Sequence, residues 1–151
     1  MVSKKTRKNR SNRRSVRTNS TSGDGFPQSM KKDLVKTFLE MLNTIKLYHW
    51  STHSYPEHKA TDELYSSLNS HIDRFVEVLL GKDGSRINQI EHVSYMIPDP
   101  QNTGEVKKSV EHFKDYLYKL PLNDPKDSDL GNIKDEILAD LNQFLYLLTL
   151  H

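Results

Sequence analysis

The sequence predicts an all-α domain, a four-helix bundle with a long crossover between the second and third helices, preceded by a disordered basic tail. Three observations predict it. Apolar residues recur at three- and four-residue spacing in four separate stretches, the period of a helix with one core-facing side. Residues 82–103, between the second and third stretches, carry Gly84, Pro98 and Pro100 and read as a long connection. Residues 1–25 have almost no apolar content and cannot bury enough surface to offset the cost of ordering. The chain thus divides into a tail, 1–25, and one helical domain, 26–151, large enough for a single core.

Each helix has its own signals. Ser29 is an N-cap candidate after Phe26-Pro27-Gln28, and the first helix runs to about Ser51, with Leu34, Phe38, Met41, Leu42, Ile45 and Tyr48 facing inward. His49 lies four positions past Ile45, where that stripe ends. The second helix starts at Pro56, suited to a first helical position, and stops before Gly81, so that residues 81–84 (GKDG) form a turn. Its apolar stripe is Leu64, Leu68, Ile72, Phe75 and Leu79, with Val78 alongside, and Asp62, Ser66, Asn69, Asp73 and Glu77 form a polar stripe opposite. Such a stripe alone marks nothing more than a solvent-facing side. A short helix is expected at Asn88–Tyr95 within the crossover. The third helix covers about Gly104–Lys119, with Val106, Val110, Phe113, Tyr116 and Leu117 inward. The fourth covers about Asp129–Leu150, with Ile133, Ile137, Leu141, Phe144, Leu145 and Leu148 inward. Trp50 reads as packing, His71 as a core or rim histidine, and His92 and His112 as structural.

Composition removes several function classes. There are no cysteines, which excludes disulfides, thiolate zinc sites and thiol nucleophiles and leaves histidine and carboxylates for metal chemistry. No run of about 18 apolar residues suggests a membrane span, and no apolar leader opens the chain, so an intracellular protein is expected. No phosphate-cradling glycine loop, G-x-S-x-G elbow or internal repeat is present. The net charge of +2 hides an asymmetry. The tail holds Lys4, Lys5, Arg7, Lys8, Arg10, Arg13, Arg14 and Arg17 against Asp24 alone, a net of +7, while the body is at −5. A basic arm of this kind neutralises phosphates and binds DNA without sequence preference. An import signal or a solvated tail would read the same way. No aromatic interleaves the basic residues, which favours plain electrostatics over base stacking.

The chemistry concentrates at His49-Trp50, His58 with Asp62 one turn on, and Asp73 with Glu77 one turn on. His58 and Asp73 are fifteen positions apart, about 22 Å along a helix. Metal bonds to nitrogen and oxygen are about 2.0–2.6 Å, so one chain cannot wrap both pairs around one ion. Fifteen steps of about 100° return to within about 60°, which keeps all four residues on one side of the helix. Two copies packed antiparallel about a two-fold axis would bring His58 and Asp62 of one to Asp73 and Glu77 of the other, creating two equivalent sites. The midpoint falls near Ser66 and Ser67, small residues that would let the backbones approach.

The segments LYHW (47–50), HKATD (58–62) and HIDRFVE (71–77) resemble the Dps branch of the ferritin-like superfamily, the mini-ferritins. The connection from His49 to His58 is about three residues shorter than in bacterial members. In outline, with its short core and basic tail, the chain is also similar to ferritin-like proteins of large DNA viruses. The resemblance covers residues 30–85 and implies a ferritin-like four-helix bundle that is a dimer at least, within the twelve-subunit mineral-storing shell of the family. It implies a subunit-shared ferroxidase site ligated by His49, His58, Asp62, Asp73 and Glu77, with no catalytic residue beyond these ligands. Iron is the implied metal, one or two per site, and manganese or zinc suits the same mixed donors. The third and fourth helices are short for that shell, and no Glu-x-x-His appears, which disfavours a di-iron centre within one subunit. Two functions therefore stand side by side: an iron-oxidising, DNA-associated protein of the virion or nucleus, and a non-enzymatic DNA-packaging scaffold on the same fold. A soluble helical adaptor whose acidic stripe faces another protein is a third.

Overall fold

The computed structural model describes residues 26–87 and 96–150, and the helix expected at Asn88–Tyr95 and His92 lie outside them. Four helices form: α1 (Gln28–Ser51), α2 (Tyr55–Asp83), α3 (Thr103–Tyr118) and α4 (Ser128–Leu147), with a short 3-10 turn at Pro125–Asp127 leading into α4.

The apolar stripes set the packing. Leu64, Leu68, Ile72, Phe75 and Leu79 of α2 are all buried, as are the six stripe residues of α1. Phe75 meets Phe38 edge to face, with ring centroids 5.4 Å apart and planes at 81°, the arrangement aromatic quadrupoles favour. In α3 and α4 the expected inward residues are buried except Tyr116 and Leu145, which pack partly exposed against the core. Leu130, Leu138 and Ala60 are buried beyond the expected set.

Contacts and ends together give the topology. Among the described residues α1 packs along α2 and α3, and α4 packs along α2 and α3, whereas α1 and α4, and α2 and α3, do not pack side by side. Cyclic order around the bundle is therefore α1, α2, α4, α3. The end of α1 meets the starts of α2 and α3 through Tyr48, Glu57 and Thr103, and Lys82 at the end of α2 meets Asp129 at the start of α4. The helices thus run up, down, down, up, and α2 and α3, consecutive in the chain, stand diagonally with the end of one and the start of the other at opposite ends of the bundle.

Three boundaries differ from the sequence reading. α1 begins at Gln28 with Pro27 as its cap, so Ser29 lies inside the first turn. α2 continues through Gly81 to Asp83, and only Gly84 turns, at φ 66° in the left-handed region where glycine escapes the Cβ penalty. Gly81 costs a helix roughly 1 kcal/mol, and the turn that follows it is tied to its neighbours by tertiary ion pairs. Lys82 pairs with Asp129 at 2.9 Å and Asp127 at 3.3 Å, and Asp83 pairs with Lys31 of α1. α4 ends at Leu147, short of the expected Leu150.

Lys31 is 1% exposed, and its amine donates to the Asp83 carboxylate and to Ser85 Oγ at 2.7 Å. The Lys31 hydrogen bond, then that of Ser85, brings the Asp83 carboxyl down to about 2. A depressed carboxylate contributes stability that is complete above its ordinary pKa of 3.8 and disappears as the pH falls through about 2. Asp83→Asn should remove that segment of the acid-unfolding curve. It should also lower stability at neutral pH by about 1–3 kcal/mol, because the buried amine keeps only Ser85. Chemical denaturation followed by circular dichroism between pH 2 and pH 7 reads both effects.

Candidate metal centre

The corner between α1 and α2 is three residues long, Thr52 to Ser54, and side chains rather than backbone lock it. Ser54 caps α2 by accepting from the Glu57 amide, with Pro56 in the first turn. The half-buried Glu57 carboxylate accepts from three hydroxyls: Tyr48 of α1, Thr52 of the corner at 2.9 Å and Thr103 of α3 at 2.7 Å. Burial pushes the Glu57 carboxyl up, but the hydroxyls of Tyr48, Thr103 and Thr52 outweigh it and hold it below the ordinary value. Burial, then the Glu57 carboxylate, pushes the Tyr48 phenol up.

Against this corner the two candidate histidines clasp each other. His58 Nδ1 lies 2.9 Å from the His49 carbonyl, and His49 Nδ1 lies 3.1 Å from the His58 carbonyl and 3.1 Å from Thr61 Oγ. The rings stack with centroids 3.9 Å apart and planes at 24°. A carbonyl only accepts, so each Nδ1 carries a proton, and in the neutral ring each Nε2 is left with a lone pair. Holding a ligand histidine through its other ring nitrogen is how proteins fix tautomer and ring direction for a metal. Neither Nε2 has a hydrogen-bond partner among the described residues. His49 is 9% exposed and His58 is half-buried.

Asp62, Asp73 and Glu77 are exposed along one side of α2 with Ser66 and Asn69. None of the three carboxylates has a hydrogen bond or ion pair among the described residues. Within one chain the five residues do not converge: among the described residues no three His, Cys, Asp or Glu side chains stand close enough to hold one ion. Ser67, expected with Ser66 on the outward side, instead lines a groove of about 190 Å³ between α2 and α4 with Asp140 and Phe144. The expectation of Trp50 as packing is also corrected. It is 69% exposed on the outer side of α1, with the Lys46 amine 5.7 Å from its ring and 4.7 Å from that of Tyr65.

The sequence reading missed a network at the α2–α4 seam. His71 Nδ1 lies 2.8 Å from Asp140 and Nε2 lies 3.6 Å from Glu136, which also pairs with Arg74. The pairs 71/74 and 136/140 have helix-neighbour spacing and were visible as such, but nothing local says that they face each other. It missed Glu57 and Thr61 as well. His112 is exposed. The arm residues Lys4 to Arg17 lie outside the described residues.

A family model described as a family of unknown function, DUF5856, matches residues 49–148. The chain belongs to that family. The match takes in all five candidate ligands of this DUF5856 chain and begins at His49. No curated protein and no solved structure matches it.

Glu57→Ala should leave three hydroxyls without their shared acceptor and lower stability by about 1–3 kcal/mol. Glu57→Gln, which keeps one accepting oxygen, should lose less. Thermal unfolding of the two variants side by side measures the difference.

Proposed function

We propose that this DUF5856 protein is a ferritin-like, Dps-type protein that binds and oxidises ferrous iron at a site completed between two copies, and that its basic arm holds DNA. The observation that carries the reading is the histidine clasp: two imidazoles fixed in the metal-ready tautomer, at the head of a helix with three unpartnered carboxylates on one exposed side. The up, down, down, up order with a diagonal crossover supports it, since a ferritin-like bundle requires a long crossover.

Ferrous ion is the substrate. His58 and Asp62 of one copy, with His49 beside them, and Asp73 and Glu77 of the partner subunit form the donor set. Neutral imidazole suits the ferrous ion, whereas hard carboxylate oxygens favour the ferric product left when peroxide or oxygen removes an electron. The carboxylates stand in water in one chain, but closing two copies over them without a cation would bury like charge, which is unfavourable. Metal uptake and pairing of the copies are therefore coupled.

Anaerobic ferrous titration, followed by air or peroxide with ferric absorbance and native mass recorded together, tests the site. About two irons per dimer should bind, one at each equivalent site, and oxidise rapidly. Asp73→Asn should abolish uptake while helix content stays unchanged. Uptake no greater than a non-specific background would remove the iron chemistry and leave the DNA-packaging scaffold as the function.

Deleting residues 1–25 should abolish DNA retention at moderate salt. In the intact chain, log affinity against log salt should fall with a slope of up to about −7 if all eight basic residues engage phosphates. DNA retention by the truncated chain would place the contact on the bundle.

A further inference from the structure

Thr61 is fully buried, at 0% exposure, one turn past Glu57 on α2. Its hydroxyl lies 2.9 Å from the Glu57 carbonyl, 2.9 Å from the His58 carbonyl and 3.1 Å from His49 Nδ1. A hydroxyl has one proton and two lone pairs. Both carbonyls can only accept, so the proton goes to one of them, the ordinary back-bond of a helical threonine. Towards His49 the oxygen is then an acceptor. The ring proton of His49 must sit on Nδ1, shared between Thr61 Oγ and the His58 carbonyl, and its lone pair is confined to Nε2.

Stability alone does not call for that hydroxyl. Valine has the same shape, and the back-bond duplicates hydrogen bonding that the helix already supplies, slightly to its detriment. What the hydroxyl adds is a second point fixing the direction of the imidazole.

We propose that Thr61 is a positioning residue for the ferrous site: its back-bonded hydroxyl holds His49 in the Nδ1-protonated tautomer and aims Nε2 at the metal. The role rests on the shared-site reading above. It explains how a histidine of α1, only nine positions before His58, is brought into register with it.

Thr61→Ser and Thr61→Ala in the full-length protein differ by the hydroxyl alone, and Thr61→Val keeps the shape without it. Ferrous affinity, measured anaerobically per folded molecule, should fall about 10-fold in the alanine and valine variants, the low end for loss of an outer partner, and recover in the serine variant. In the metal-free protein, the nitrogen-15 correlation of His49 Nδ1–H should stay sharp in wild type and Thr61→Ser and broaden by exchange in Thr61→Ala. Equal affinity in wild type, Ser and Ala variants overturns the role of Thr61 and leaves the site standing. A serine variant as weak as alanine also overturns it, since the methyl group would then be what matters. Wild-type protein that takes up no ferrous ion brings down the site reading itself, and this role with it.

Discussion

Glu57 keeps a negative charge at the point where the end of α1, the start of α2 and the start of α3 meet, and a half-buried carboxylate is tolerable there only if its lone pairs are filled. Three hydroxyls from three different segments fill them. Each is a neutral donor, so the knot needs no counter-cation and makes few demands on the surrounding surface. Because Tyr48 and Glu57 each immediately precede a candidate ligand, the knot also sets where His49 and His58 begin. The opposite end of the bundle is tied differently, by the buried Lys31 amine on Asp83 and Ser85. Between the two ties the interior is almost wholly apolar, and among the described residues no buried side-chain polar atom lacks a partner.

Much of this was legible in the sequence where the signal is periodic. Leu34 to Tyr48 and Leu64 to Leu79 recur at helical spacing, and a three- or four-residue period reports burial directly. Lys31 and Thr61 were not legible, because a buried polar residue is identified by its partners, and those of Lys31 lie more than fifty positions away. The stop at Gly81 failed for a related reason: beside the local helix cost stand the ties of Lys82 and Asp83, whose partners belong to α4, its leading turn and α1. At the site, the spacing of Asp62, Asp73 and Glu77 placed them on one side of α2. The clasp of His49 and His58 could not be read, because it depends on backbone carbonyls brought together by the corner.

The contrast between the two sides of α2 follows from that corner. One side is committed to the core and to the His71 network on α4, while the other presents carboxylates to water. A helix this long cannot gather all its charged residues around one point. It can only offer them in a row.

The length of α1 has an electrostatic consequence. From Gln28, beside the point where the basic arm joins the bundle, to His49 is twenty-one helical steps, about 32 Å. At physiological ionic strength the Debye length is about 8 Å, so roughly four screening lengths separate the arm's root from the imidazole pair. A charge held at Gln28 is therefore nearly invisible to the histidines at the other end of α1. The rod of α1 acts as an insulator, so that charge placed at either end leaves the other end almost unaffected.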